Sequence, residues 1–315
     1  MIVTLTPNPS IDRTITLATL AVGGVNRASA VRQDPGGKGV NVSRALAAHG
    51  EPTTAVAPLG GAEGDMLTRL LEAAGVPVHA HRISGSTRLN LTLAGTDGIT
   101  TKVNEPGSPL GAADVDALVA ACTRDLVPGS WLLGAGSLPP GTPEDLYVRL
   151  VEAGRRAGAH VAVDSSGEPF LCALAAAPDL IKPNHHELGE ALGRKMRTLG
   201  DVVAGAQELT ARGVGTVVVS LGRSGAVAVT NDEVVHAAAG PVRPVSTVGA
   251  GDALLAGFLL ARTRGGDLTE ALCLGIRFGT AAVTLDGSLM PALHDITGVS
   301  VTPSDHPDLD APVEE

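Results

Sequence analysis

Apolar residues along the chain fall into two kinds of run, and their alternation predicts the architecture. Short continuous runs at Ile2 to Thr6, Thr53 to Leu59, Trp131 to Gly134, His160 to Asp164, Leu180-Ile181 and Thr216 to Ser220 read as strands buried on both faces. Between them lie helical stretches at 40–49, 65–74, 112–124, 143–157 and 200–212, with a short helix after Glu168. Val76 to His81 adds a strand, Ala226 to Thr230 and Glu233 to His236 read as antiparallel strands, and helices at 250–263 and 268–284 close the domain. The strand-helix rhythm predicts an α/β fold, a doubly wound and mainly parallel sheet with helices on both faces.

Two stretches break that rhythm. Thr14 to Leu17 and Val25 to Arg32 alternate polar and apolar around Gly23-Gly24. Thr87 to Ala94 alternates more cleanly, with Leu89, Leu91 and Leu93 on one face and Arg88, Asn90 and Thr92 on the other, and Asp97-Gly98 turns it into Ile99 to Asn104. The two hairpins, at about 12–33 and 86–105, are expected to pair into a small β-sheet lid, its polar face toward a cleft. The opposite face would be bare and apolar on a monomer, so a homodimer through the lid is expected. The predicted organisation is one domain over 1–296 and a loose tail over 297–315, where Pro and Asp accumulate.

Composition removes several functions. A net charge of −10 and 2% aromatic residues leave no basic, ring-bearing face for nucleic acid, and no attraction to an anionic membrane. The start, Met1 to Pro7, has neither a basic leader nor a run long enough to span a bilayer, which predicts a cytoplasmic protein. Cys122, Cys172 and Cys273 lie too far apart for a zinc knuckle and are too few for a disulfide framework. His185-His186 are adjacent and cannot share a metal from one helix face, and His79 with His81 reads as a solvated strand.

The candidate chemistry centres on Val245-Ser246-Thr247-Val248-Gly249-Ala250-Gly251-Asp252, a glycine turn opening an apolar helix. Backbone N–H groups at such a helix start attract anions. Asp252, in the first turn, is either a helix cap and dipole partner or a general base beside that anion. Pro35-Gly36-Gly37-Lys38-Gly39 opens a second helix in a similar way, but it lacks the spacing and the Ser or Thr of a P-loop. Leu254 replaces the third glycine of a dinucleotide fingerprint, and Ser137 is followed by Leu138-Pro139 rather than by a nucleophile elbow.

These motifs, in this order, resemble the PfkB family of ribokinase-like carbohydrate kinases over about residues 1–296. Pro35 to Val42 is similar to the first family signature and Val245 to Asp252 to the second. Gly136-Ser137-Leu138-Pro139-Pro140-Gly141, Asp164-Ser165-Ser166-Gly167, Lys182-Pro183-Asn184-His185-His186-Glu187-Leu188 and Ser220-Leu221-Gly222 are similar to the blocks between them. The resemblance implies a ribokinase-like fold, with ATP-dependent phosphorylation of a sugar hydroxyl. Asp252 would be the base, and the N–H groups of Gly249, Ala250 and Gly251 the anion hole. It implies Asp12, Gly36, Gly37, Asn41 and Ser137 at the sugar, and Lys182, Asn184, Ser220, Gly222 and Thr247 at the nucleotide. Glu187 would hold Mg²⁺ through water, and a monovalent cation is a further candidate cofactor. The adenine is expected between the Ser220 turn and the small-residue helix at Gly275 to Ala282.

Arg27, Lys38, Arg88 and Lys102 lie on the polar lid face or beside the glycine turn, as the phosphate of a phosphorylated acceptor would require. With Val25-Asn26-Arg27 and Asn104-Glu105-Pro106-Gly107, they resemble the branch of 1-phosphofructokinases and tagatose-6-phosphate kinases, with the family's 6-phosphofructokinases close by. The implied reaction converts fructose 1-phosphate to fructose 1,6-bisphosphate. Ser246 stands where many members carry Asp, Gly24 stands where Glu is expected, and Leu285-Asp286-Gly287-Ser288 matches no substrate class. A sugar-phosphate-binding regulator without turnover would not need the intact Asp252, and a nicotinamide enzyme would need the missing glycine.

Overall fold

The near-continuous apolar strands stack side by side because neither of their faces can meet water. The computed structural model describes residues 1–304 and 306–313. In chain order come β1 (Ile2–Leu5), β2 (Ser10–Leu17), β3 (Ala30–Gly36), α1 (Lys38–Ala48), β4 (Thr53–Leu59), α2 (Gly61–Ala73), β5 (Val78–Arg82), β6 (Arg88–Gly95), β7 (Thr100–Asn104) and α3 (Ala112–Thr123). Next are β8 (Trp131–Ala135), α4 (Leu146–Arg156), β9 (His160–Asp164), α5 (Gly167–Ala175), β10 (Leu180–Ile181), α6 (His185–Leu192), α7 (Leu199–Ala211) and β11 (Thr216–Ser220). The last elements are β12 (Ala226–Val229), β13 (Val234–Ala239), α8 (Ala250–Thr263), α9 (Leu268–Val283), α10 (Leu293–Thr297) and β14 (Val301–Ser304).

Ten strands form one sheet in the order β14-β13-β12-β11-β10-β9-β8-β1-β4-β5. The run from β11 to β5 is parallel, and β12, β13 and β14 complete the other edge antiparallel. Successive residues divide between two cores. Ile2, Leu133, Ala162 and Val218 pack with α1, α8 and α9. Val3, Leu132, Val161 and Val217 pack with α3, α4, α5 and α7. Parallel strands end on one edge, so the carboxyl ends of β1, β8, β9, β10 and β11 converge there, the usual ligand side of such sheets.

The expected lid is present as a sheet of order β3-β2-β6-β7, with the two hairpins joined by the parallel pairing of β2 with β6. Its first hairpin differs from the expected one. The returning strand begins at Ala30 rather than Val25, and residues 21–30 are exposed. The Asn26 side chain accepts from the Ala21 N–H and donates to the Ala21 and Gly24 carbonyls. Those bonds satisfy the loop backbone locally and remove it from the ladder. β3 instead runs through Pro35-Gly36, so the lid leads directly into the glycine motif and α1 starts at Lys38.

The described part of the tail, 297–304 and 306–313, is not loose. β14 pairs antiparallel with β13, from Ala239 opposite Val301 to His236 opposite Ser304. Farther on, Leu199 and Gly200 donate to the carbonyls of Ala311 and Leu309, and Val313 donates to Arg197. Val301 and Val313 pack on the two cores. A Pro- and Asp-rich composition reports weak local structure, but not an open sheet edge waiting for a strand. Among the described residues, no helix is long and apolar enough to cross a membrane.

Candidate functional site

Gly249 adopts φ +78°, a left-handed conformation open to glycine, and caps α8 so that the chain turns abruptly into the helix. Asp252 in the first turn is buried, at 8% exposure. Its carboxylate accepts no bond from the helix N–H groups among the described residues and instead accepts from Asn41 Nδ2 at 2.8 Å. The geometry thus separates the two roles open to Asp252: it is an oriented buried carboxylate, not a cap. Burial and the neighbouring Asp164 charge push its pKa up to about 6, while the Asn41 bond, Lys182 and Lys38 pull the other way. A carboxylate with that pKa suits proton abstraction near neutral pH.

Asn41, expected on the sugar, donates to Asp252. Its other amide atom, Oδ1, accepts from Arg44 Nη1 at 3.2 Å. The same Arg44 nitrogen donates to the carbonyls of Pro35 and Ser288, tying the first glycine motif to the 285–289 segment. Because the Asn41 bond lowers the Asp252 pKa, Asn41→Ala is expected to move the acid limb of the kcat/KM profile upward, above pH 6, and to lower kcat at pH 7. A pH–rate series checks this, and an unmoved limb would count against the base assignment.

Lys38 is likewise not in the lid cluster. Its ammonium group lies 2.8 Å from Asp164 Oδ1, and Lys182 Nζ lies 3.2 Å from Oδ2 of the same carboxylate. Burial opposes the charge on Lys38, but Asp164, with Glu187 and Asp252 farther off, raises its pKa above the ordinary value. Burial also opposes the charge on Asp164, yet the two ammonium groups hold it below the usual carboxylate range. Lys182 also stands against the glycine turn, since a Cβ on Gly251 would lie 3.2 Å from its Nζ.

The lid presents its polar face as expected from the cross-strand register, in which Asp12 lies opposite Asp34 and Asn90. Asn90 Nδ2 donates to Asp12 Oδ1 at 3.0 Å and Ser10 Oγ donates to the same oxygen at 2.7 Å. A Cβ on Gly36 would fall onto the Asp12 carboxyl group, so the glycine there makes room for that side chain. Arg88, half-buried, donates to the Glu105 carbonyl, and burial lowers its pKa against the pull of Asp12 and Glu105. Lys102 is exposed on β7, across from Thr92, and Arg27 is exposed in the 18–29 connection. The four cations therefore do not form one cluster. Arg88 stands by Asp12, and Lys38 by Asp164.

On the nucleotide side, Asn184 and Glu187 form a reciprocal cap of α6: each side chain accepts from the other's backbone N–H at 2.8 Å. Asn184 bridges to Ser220 at the end of β11, and Gly222, at φ +60°, opens the turn that follows. Ser137, just beyond β8, and Thr247, ahead of Gly249, are both exposed. Part of the α9 stretch expected beside the adenine turns toward α8. Gly275 and Gly279 are buried against α8, where a Cβ on Gly275 would lie 2.8 Å from the Leu254 carbonyl. Small residues there serve helix-helix contact, which periodicity does not distinguish from a ligand groove.

The residues missed were Arg44, Arg32 and the role of Asp164. Arg32 pairs with Asp34 at 2.8 Å and donates to the Asp286 carbonyl, and Ser246 Oγ donates to Gly287 O. The 285–289 segment is thus a strap across the lid base and the glycine turn. Arg44 lies three residues past Asn41 on α1, a helical spacing that was the one available signal. His79 and His81 stay outside the site, paired with Asp125 and Asp114.

A β-lid over the strand ends, a buried carboxylate at a helix start and lysines beside it define a ribokinase-like kinase. The comparisons agree with that class. The chain is similar to ribokinase of Arabidopsis thaliana complexed with ribose and ATP, with a TM-score of 0.75 and 22% identity over 94% of this chain and 96% of that one. It is more similar to phosphofructokinase-2 of Escherichia coli in complex with potassium, with a TM-score of 0.89 and 34% identity over 94% and 96% of the two chains. Among curated relatives, the 1-phosphofructokinase of Rhodobacter capsulatus is 40% identical over 293 residues, 92% of either chain. The family described as pfkB family carbohydrate kinase matches residues 5–294, and the chain belongs to it.

Proposed function

We propose that the protein transfers the γ-phosphoryl group of ATP to the free primary hydroxyl of fructose 1-phosphate, giving fructose 1,6-bisphosphate and ADP. The observation that carries the reading is the buried Asp252, held by Asn41 with its pKa raised to about 6, at the mouth of the Gly249 to Gly251 turn. Asp252 accepts the hydroxyl proton as the sugar oxygen bonds to phosphorus and the bond to the ADP oxygen breaks. The N–H groups of the turn stabilise the equatorial oxygens. Asp12 and Asn90 orient the sugar hydroxyls, and Arg88 supports the phosphate already on the acceptor, with Lys102 and Arg27 farther out on the lid.

Glu187 fits a hydrated Mg²⁺. Its Oε2 is used in the helix cap, and its Oε1, free of hydrogen bonds among the described residues, remains to hold a metal-bound water. Mg²⁺, when bound, would neutralise the β- and γ-oxygens of ATP. A monovalent cation belongs to the same proposal, tested by turnover in potassium against tetramethylammonium. Val31, Ile99 and Val103 leave apolar lid surface exposed, at 58%, 65% and 55%, which supports a homodimer through the lid.

ADP release with Mg-ATP and fructose 1-phosphate, fructose 6-phosphate, tagatose 6-phosphate, fructose or ribose is the direct test. Highest kcat/KM on fructose 1-phosphate is expected. A preference for fructose 6-phosphate would follow the Escherichia coli relative, and activity on unphosphorylated sugars alone would remove the acceptor-phosphate role of Arg88.

A further inference from the structure

Asp164, Lys182 and Asp252 are buried and Lys38 is part-exposed in a cluster whose members come from the end of β9, the residue after β10, the start of α8 and α1. Asp164 is 1% exposed, so its charge persists only because two cations share it. The two contacts are unlike. Lys38 donates a hydrogen bond to Oδ1, whereas Oδ2 lies within ion-pair distance of Lys182 without receiving a hydrogen bond. The Lys182 N–H groups therefore remain available to another acceptor, and that ammonium group already faces the Gly251 backbone. Lys38, with a third of its side chain exposed, is open to the cleft from the opposite side of the carboxylate.

We infer that Asp164 is a positioning residue of the transfer step: its two oxygens hold Lys38 and Lys182 as paired cations on the transferring phosphoryl group. This rests on the kinase reading above. Lys38 then serves the transferred group rather than the phosphate the acceptor already carries. Two ammonium groups fixed before substrate arrives meet the charge spread over the phosphoryl oxygens without reorganising. Without Asp164 they would repel each other and lose a common orientation. The Asp164 charge is also one cause of the raised Asp252 pKa, with Lys38, Lys182 and the Asn41 amide acting on that carboxylate in the opposite sense.

The test is steady-state kinetics of wild type, Lys38→Met, Lys38→Arg and Asp164→Asn across pH, with fructose 1-phosphate and fructose as acceptors. For Lys38→Met, kcat should fall about 10- to 100-fold with KM for the phosphosugar within about threefold, because the loss concerns the transition state. The preference for phosphorylated over plain sugar should persist, and Lys38→Arg should restore part of kcat. For Asp164→Asn, removing the negative charge and freeing both lysines act in the same direction, so the acid limb should move down by about one pH unit or more. A scaffold-only Asp164 would leave that limb in place. A Lys38→Met enzyme with normal kcat, raised KM and lost phosphosugar preference would overturn the inference, as would an unmoved limb in a folded Asp164→Asn. Lys38 is partly exposed, so its variants decide the matter if Asp164→Asn does not fold. A wild type inactive on every sugar would instead overturn the kinase reading itself.

Discussion

Asp252→Asn is expected to lower kcat by about 10²- to 10⁴-fold, the range for loss of a general base, while nucleotide binding measured by calorimetry stays close to wild type. The same change should make the protein more stable. In the folded state the Asp252 pKa is about 6 against an ordinary 3.8, so between those values the folded chain holds a proton that the unfolded chain has lost. Stability therefore falls as pH rises from 3.8 to 6, and above pH 6 the buried carboxylate costs on the order of 1–3 kcal/mol. Asparagine keeps the shape and an acceptor for Asn41 but carries no charge to desolvate. Tm at pH 8 should rise by a few degrees, and the gain should vanish below pH 4. Comparable turnover in the variant would end the assignment of the base. An unchanged Tm at pH 8 would show that the carboxylate is not desolvated as its burial implies.

Gly257→Val is expected to be the most damaging substitution outside the site. A Cβ at Gly257 would lie 2.7 Å from the Leu274 carbonyl oxygen and 3.0 Å from the Gly275 Cα. Here α8 and α9 touch backbone to backbone, so no flexible side chain can give way. Glycine costs about 1 kcal/mol in a helix interior, and close approach is the return for it. Valine would wedge the helices apart at a cost of about 3 kcal/mol or more, lowering Tm by roughly 5 °C or more. Because α8 carries Asp252 at its start, kcat should fall as well. Gly298→Ala is the matched control, since its φ of −87° suits alanine and nothing lies within 4 Å of the added carbon. That variant should melt within about 1–2 °C of wild type, whereas equal behaviour of the two would contradict the packing described for α8 and α9.

Much of the fold is local in origin and was legible from the chain. The buried strands from β1 to β11 are short apolar runs, the lid strand β6 alternates leucine with polar residues, and the glycines before α1 and α8 mark sharp helix starts. Each follows from a period or from a conformation that only certain residues permit, and neither needs a distant partner. The family resemblance rests on the same kind of local signal, motifs in order, and placed Asp252 at the site. The edge strand β14 was not legible, because Pro303 interrupts a segment of only four residues, which the open hydrogen bonds of β13 hold in place.

The partners within the site were a matter for tertiary structure alone. Asn41 meets Asp252 across 211 residues of sequence, Lys38 meets Asp164 across 126, and Arg44 reaches the Ser288 carbonyl across 244. Periodicity tells which way a side chain leaves its element, and a motif tells that a lysine is near a phosphate. Which anion the lysine faces depends on sheet order, since β9 and β10 are neighbours and bring Asp164 and Lys182 together at one edge. Local propensity therefore determined the elements, and the order of the motifs pointed to Asp252. Long-range packing decided that Asn41 meets Asp252 and Lys38 meets Asp164, because a hydrogen bond or ion pair depends on ångström distances between side chains that sequence separation does not encode.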